Sequence, residues 1–531
     1  LLSACSQYSK VHELPVSAVT TTGEQKALYK SLKPLGKYPR AQLGLYLDSA
    51  DKARRQLAAK PSDPLARANY NFAVARIVEI INKENLTPWE APVVCASGEA
   101  SPWSLSLKPS SQSQKGNLPH YEILPADRFD FKGKLVGQRK LKEGLGAPVI
   151  AVAKGVDFAK VNKPAEGGKL RFYGLTAVAR LKGRTCELEL IDPLAEERVT
   201  FDGQDYPLAA DFQAPLALAL SKLNMKKKEI SGMFSPSKFE DTAHLTLLQP
   251  YDASKTPVLF IHGLGNSAAT WAPMIDQLRN NAAIRKRYQF WIFNYPTGLP
   301  YPKNAATLNA QLDEIKRLHP DHKDIVIVAH SLGGNITRLL ITDSGMNLWN
   351  HIYDKPPADI AFSDKTRKLM SDALIFKARP DISRVVFASA SLRGSETATG
   401  FIGRMGVKLI GNPFAEDLGT EEAFTYARPE VRALGRKHLP NSVEILNPDS
   451  LFLNAVNALP IKPGIPYHTL AGDRGKGGNL DHTPPVSTDG IVPYWSSHLD
   501  GAISERVIPS DHWSILHPDG MAEVERILLK Y

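Results

Sequence analysis

No run of 18 consecutive apolar residues occurs in this 531-residue chain, so no segment reads as a membrane-spanning helix. Cysteine is scarce: Cys5, Cys95 and Cys186 are the only three. None belongs to a C-x-x-C pair, which argues against a zinc site, and neither a metal nor a cofactor is expected. No sign of charge dominates. The 65 basic residues exceed the 55 acidic ones by a net +10 spread over the whole length. No basic helix is interleaved with aromatics, so nucleic acid is not an expected partner, and the mild excess suits an anionic membrane surface. Disorder is excluded by composition, since 43% of the residues are hydrophobic. That content and length suit two or three domains with a sizeable core.

What is present begins at the start of the chain. It opens LLSAC, without an initiator methionine, and reads as the tail of a signal peptide. Leu2-Ser3-Ala4-Cys5 resembles a bacterial lipobox. The resemblance implies an acylated Cys5 and a lipid-anchored protein of the bacterial cell envelope, in the outer membrane facing the periplasm. Each buried methylene contributes about 0.8 kcal/mol, so several acyl chains on one cysteine make a durable anchor. Cys95 and Cys186 are left either to pair in an oxidising periplasm or to remain as inert buried thiols.

Four regions follow from the patterning. Residues 1–40 are polar and turn-rich and read as lipobox and tether. Residues 41–90 read as two helices, Leu43 to Ala59 and a second with Phe72, Ala73, Ile77, Ile80 and Ile81 on one face. Between them KPSDP supplies Asp63 as N-cap and Pro64 at the first helical position. No second copy of the pair occurs, so a repeat array is not expected. Residues 91–244 change to a period of two, as in CELELI (Cys186 to Ile191), and predict a mostly antiparallel β region. Residues 245–531 alternate strand and helix: TPVLFIHG, YQFWIFNYPTG, SRVVFASA, PYHTLAG and ERVIPS are strands, and Leu308, Leu312, Ile315 and Leu318 stripe a helix. That alternation predicts a mostly parallel sheet with helices on both faces. The segment around 395–465 breaks the alternation and reads either as a cap over a site or as packing helices.

Chemistry concentrates in IVIVAHSLGGNITRLLI, Ile325 to Ile341. Ile325 to Ala329 is a buried strand, and from Asn335 the apolar spacing turns helical. Ser331 therefore stands at a strand-to-helix turn, flanked two residues away by Ala329 and Gly333. This is the G-x-S-x-G nucleophile elbow with alanine for the first glycine. Such a turn lifts the hydroxyl clear of the sheet toward backbone N–H groups at a helix start. A serine hydroxyl needs a base, which is usually a histidine oriented by a carboxylate. In a sheet of this kind the acid and then the histidine follow the serine, each in a loop after a strand. Downstream, STDGIVP offers Asp489 and PSDHWSILHP offers His512. Asp473, His498 and His517 are rivals. Two oxyanion donors are expected, Leu332 after the nucleophile and Leu264 in HGLG. GLGNSA also matches a dinucleotide fingerprint, but the next strand ends Asn294-Tyr295-Pro296 with no carboxylate for a ribose.

From about Leu245 to Tyr531 the chain resembles bacterial α/β-hydrolase lipoproteins of the triacylglycerol-lipase and GPI-inositol-deacylase type. The stretches that carry the resemblance are PVLFIHGLGNSAATW, FWIFNYPTGLPY, AHSLGG, SRVVFASASLRGS and STDGIVPYWSSHLDGA. It implies an α/β-hydrolase fold with Ser331 as nucleophile, Asp489 as acid and His512 as base. Two stretches differ from the usual pattern: Ala329 and Leu332 within G-H-S-M-G-G, and Leu392 in place of the histidine of T-P-H-R-G-S. The expected function is a serine carboxylic-ester hydrolase acting on lipid or acyl esters at the envelope. The alternatives are an acyltransferase using the same three residues and a catalytically inert envelope scaffold.

Overall fold

The computed structural model describes residues 9–36, 39–97, 100–108, 120–155, 172–222, 243–396, 420–433, 442–476 and 478–531. Cys5 lies outside them, as do 397–419 and 434–441 of the expected cap. The chain divides into two compact units: the described residues up to 222 together with 276–286, and 243–275 together with 287–531.

In the first unit, α1 (Gly23–Leu32) starts at a capping box made by Thr22 and Gln25. The helical pair is α2 (Pro39–Ala59) and α3 (Pro64–Lys83). Asp63 caps α3 by accepting from the Leu65 and Ala66 N–H groups, with Pro64 at the first position. The strands are β1 (Val93–Ser97), β2 (Ala100–Lys108), β3 (Tyr121–Pro125), β4 (Ala147–Ala153), β5 (Phe172–Lys182) and β6 (Thr185–Ile191). They form one sheet in the order β1-β2-β6-β5-β4-β3, antiparallel throughout except for the parallel pair β2 and β6. Leu43, Leu47, Ala73 and Ile77 of the helices share one core with Leu105, Val149, Ala177 and Leu188 of the strands. The Tyr70 hydroxyl of α3 donates to the Ala179 carbonyl at 2.7 Å and accepts from its N–H at 2.8 Å. The helical pair and the β region are thus one body, where the sequence reads as two.

One further expectation for this unit is corrected. The segment expected as a tether carries α1 and a strand, Lys10–Glu13, paired with Phe129–Lys132. Its apolar residues Val16, Val19, Leu28 and Leu32 reach the core but are too widely spaced to display a period. Within the β region, α4 (Gln213–Lys222) is helical, with its first three residues buried.

Cys95 and Cys186 are buried free thiols. Cys95 sits opposite Trp103 on one side of β2 and Cys186 opposite Leu105 on the other. With an intervening strand they stand about 10 Å apart, beyond the reach of a disulfide. Burial pushes the Cys186 thiol up to about 12 and the Cys95 thiol up to about 11.

The second unit is built on β7 (His244–Leu247), β8 (Thr256–Ile261), β9 (Tyr288–Asn294), β10 (Ile325–His330), β11 (Ile382–Ala388), β12 (Tyr467–Gly472) and β13 (Ser504–Ile508). Their order is β7-β9-β8-β10-β11-β12-β13, parallel except for the edge strand β7. All six residues of the central β10 are buried, the apolar run Ile325 to Ala329 and His330 at its end. In α5 (Tyr301–Leu318), Leu308 and Leu312 are fully buried. Leu318, expected in the same stripe, is 52% exposed because it closes the last turn. The described pieces of the expected cap are short helices, Thr420–Thr425, Pro429–Arg432, Ser442–Ile445 and Leu451–Ala458. Their Ala423, Val431, Ile445, Leu453 and Val456 belong to the same core as β8, β10 and β11. The described pieces thus pack on that core. Among the described residues no helix is long and apolar enough to cross a membrane.

Candidate active site

The site forms where β10 ends. Ser331 follows at φ 54° and ψ −123°, and α6 (Leu332–Leu340) begins at the next residue. A non-glycine residue at positive φ is strained, and strain of this kind persists only where the surroundings over-determine it. Here the Ser331 N–H donates to the Ala388 carbonyl of β11 at 3.0 Å. The residues around it have no room to grow. A Cβ on Gly333 would stand 2.4 Å from the Ile261 carbonyl oxygen, and one on Gly334 2.5 Å from the Ala390 Cβ. Ala329, fully buried between Ile261 and Phe387 of the neighbouring strands, fits the position the motif gives to glycine.

The three side chains expected from the sequence converge, although 331 and 512 are 181 positions apart. The Ser331 hydroxyl and His512 Nε2 are 2.9 Å apart, and His512 Nδ1 donates to Asp489 Oδ2 at 2.7 Å. The other Asp489 oxygen accepts from the Ile491 and Val492 N–H groups at 2.8 and 2.6 Å. This acid lies in a turn just before Gly490, at φ 89°, as the D-G-I-V-P setting implies. All three side chains are buried, with Ser331 6%, Asp489 2% and His512 7% exposed.

The rivals are employed elsewhere. Asp473, also buried, accepts from the Gly475 N–H at 2.9 Å and from Asn479, and so closes its own loop. His498 bonds to Glu505 at 2.7 Å and Asp500 at 3.0 Å. His517 caps the last helix, α7 (Pro518–Lys530), by accepting from the Asp519 N–H at 3.2 Å.

The oxyanion candidates are main-chain groups beside the serine. Leu332 is the first residue of α6, so its N–H has no acceptor within the helix. Leu264 follows Gly263, where a Cβ would stand 2.8 Å from the Ser331 Cβ, so the HGLG loop lies against the Ser331 turn. His262 braces that loop. Its Nδ1 donates to the Gly263 carbonyl at 3.1 Å, its Nε2 accepts from the Tyr295 N–H at 3.3 Å, and its ring stacks on Tyr295 with centroids 4.2 Å apart. Burial pushes His262 down to about 4, so it is a neutral brace.

Sequence reasoning missed this brace, and also the pair on the far side of the elbow. Asn335 Nδ2 donates to the Ser391 carbonyl at 2.9 Å, and the Ser391 hydroxyl donates back to Asn335 Oδ1 at 3.0 Å. Leu392, where the resembling family carries histidine, is buried in the core. The sequence carries no distinct signal for the Asn335 bond: the amide is one of three polar residues in Leu332–Leu340, and its burial is seen only in the fold. Among the described residues no cluster of three or more His, Cys, Asp or Glu side chains is arranged to hold a metal ion.

Chemically, the arrangement supplies a hydroxyl against an imidazole acceptor, a carboxylate fixing the imidazole's tautomer, and a helix N-terminus at the hydroxyl. A model described as the alpha/beta hydrolase family matches residues 258–524. No curated protein matches the chain. Among solved structures, the mature form of the Bacillus licheniformis lipase BlEst2 is similar at 19% identity and a TM-score of 0.33, over 54% of this chain and 98% of that one. Phospholipase PlaB from Legionella pneumophila is similar at 14% identity and a TM-score of 0.32, over 52% of this chain and 59% of that one. The esterase EaEST from Exiguobacterium antarcticum is similar at 13% identity and a TM-score of 0.28, over 55% of this chain and 96% of that one.

Proposed function

The chain belongs to the alpha/beta hydrolase family, and from that premise we propose that it is a serine carboxylic-ester hydrolase acting on lipid acyl esters at the bacterial cell envelope. The observation that carries this reading is the continuous relay Ser331–His512–Asp489, with contacts of 2.9 and 2.7 Å between buried groups. His512 Nε2 takes the Ser331 proton as the oxygen attacks the ester carbonyl. Asp489 stabilises the imidazolium that forms. The carbonyl oxygen, now negative, is held by the N–H groups of Leu332 and Leu264. The intermediate collapses, and the imidazolium returns the proton to the leaving alkoxide. Water then attacks the acyl-Ser331 ester, again losing its proton to His512, and the fatty acid departs as Ser331 is reprotonated.

Location at the envelope is supported by Leu2-Ser3-Ala4-Cys5, read as the acylation site of a lipoprotein facing the periplasm. The test is a panel of triacylglycerols, phospholipids and short-chain esters, assayed with wild type and Ser331→Ala. Release of free fatty acid or short acid by wild type alone is expected. Product analysis with an added alcohol separates hydrolysis from acyl transfer. Equal release by Ser331→Ala, or no release from any ester, would overturn the reading.

A further inference from the structure

His330 is the last residue of β10 and stands one position before the nucleophile, yet the proposed chemistry does not use it. It is fully buried. Its Nε2 lies 2.8 Å from the main-chain carbonyl oxygen of His512. A carbonyl only accepts, so the His330 proton is on Nε2 and Nδ1 is bare. Among the described residues that bare nitrogen has no hydrogen-bond partner. It faces Gly263, standing 3.0 Å from where a Cβ would be. The ring also lies 4.9 Å from the His512 ring and stacks on Trp513 at 5.9 Å with planes 20° apart.

His512 sits in a loop after β13, not on a strand or helix. Its side chain is oriented at Nδ1 by Asp489, and two residues on the Ser514 hydroxyl bonds to that of Ser389 at 2.8 Å, but neither of these bonds engages the main chain of His512 itself. The neighbouring Trp513 N–H is held by Asp511 at 3.1 Å, a contact within the same loop. The bond from His330 differs, because it ties the loop to the central strand that also delivers Ser331. From this geometry we propose that His330 is a positioning residue: through its bond to the His512 carbonyl it fixes the distance between the base and the nucleophile. The inference rests on the reading of Ser331 and His512 as nucleophile and base. Two imidazoles this close also raise the question of which takes the proton. Burial and the neighbouring His512 push His330 down to about 3, so His330 stays a neutral donor while His512 gains and loses its proton. The bare Nδ1, pressed toward Gly263, also accounts for a residue without a side chain there.

The test uses two amide replacements in the full-length protein. Glutamine carries its amide nitrogen to about where Nε2 stands, whereas asparagine stops near Nδ1 and does not reach the carbonyl. His330→Asn is expected to lower kcat about 10- to 100-fold with KM within about twofold, the scale of a misplaced base. His330→Gln is expected to stay within about threefold of wild type. Equal losses in the two variants, or no loss in His330→Asn, would overturn the proposal. A second readout needs no substrate: the low-field proton NMR signal of the His512 Nδ1–H bonded to Asp489. It is expected in wild type and His330→Gln and shifted or lost to exchange in His330→Asn. An unchanged signal in a folded His330→Asn would also overturn it. If wild type hydrolyses no ester, the functional reading fails while the NMR comparison still decides the role of His330.

Discussion

Asp489 reaches His512 with one oxygen only, at 2.7 Å, because the other is occupied by the N–H groups of Ile491 and Val492. A carboxylate held by two main-chain donors has one orientation, and the imidazole it meets has one tautomer, with the proton on Nδ1 and the lone pair on Nε2 toward Ser331. Asp473 is equally buried and closer to its strand, but its oxygens are spent on Gly475 and Asn479. Asp489→Asn should therefore lower kcat by about 10³- to 10⁴-fold, since an amide favours the wrong tautomer. Asp473→Asn should leave kcat within about tenfold and act mainly on stability. Steady-state kinetics and thermal unfolding of the two variants check this, and the reverse ranking would make Asp473 the acid.

Close packing at the elbow makes its glycines separable by effect. Gly263→Ala puts a methyl group 2.8 Å from the Ser331 Cβ and 3.0 Å from His330 Nδ1. The expected result is a loss of about 100-fold or more in kcat/KM, as for a displacement near 1 Å at reacting groups. Gly333→Ala meets the backbone carbonyls of Ile261, the last residue of β8, and of His262, the first residue after it, at 2.4 and 2.7 Å. It should cost about 1–3 kcal/mol of stability, the usual range for overpacking. Circular dichroism melts alongside esterase assays distinguish the two.

The Ser331 elbow and its partners were legible because each leaves a local mark: an apolar run, two small residues, a polar loop after a strand. Asp63 and Pro64 marked the start of α3 for the same reason, since capping is decided by neighbours in sequence. What the sequence concealed was long-range. Nothing local says that His262 will stack on Tyr295, that Asn335 will find Ser391, or that His330 will meet the carbonyl of His512. The cysteines illustrate the same limit. Alternation placed Cys186 on the buried side of its strand, but only the registers of β1, β2 and β6 reveal that a strand separates it from Cys95. Residues 1–40 read as lipobox and tether because few, widely spaced apolar residues give no period, although a capped helix and a strand form within them.

Acid should destabilise the protein through its buried histidines. His330 is pushed down to about 3 and His262 to about 4, each chiefly by burial. In the unfolded chain an ordinary histidine takes up a proton near pH 6.5, while the folded protein refuses it until these lower values. Each group's contribution is thus present above about pH 6.5 and is lost as the pH falls, at about 1.4 kcal/mol per pH unit. The difference in unfolding free energy between wild type and His330→Gln should accordingly shift by about 2–3 kcal/mol between pH 6.5 and 4.5. Denaturant titrations at several pH values measure it. A pH-independent difference would mean that His330 takes up its proton in the fold as readily as in the unfolded chain.

Neither thiol in the first unit should behave as part of a disulfide. Burial holds Cys95 and Cys186 as protonated thiols far above neutral pH. A thiol reagent at pH 8 should react with both only after unfolding, and a reductant should leave the melting temperature unchanged. Absence of both thiols from the unfolded, unreduced protein would contradict the strand registers.

Everything assigned to this site depends on Ser331 Oγ becoming a nucleophile through His512. The most direct measurement is reaction of the full-length protein with a fluorophosphonate probe, followed by mass spectrometry of the labelled peptide. The expected result is one adduct on the peptide containing Ser331, lost in Ser331→Ala and strongly slowed in His512→Ala. No adduct on the folded wild type, or an adduct that persists in Ser331→Ala, would contradict it.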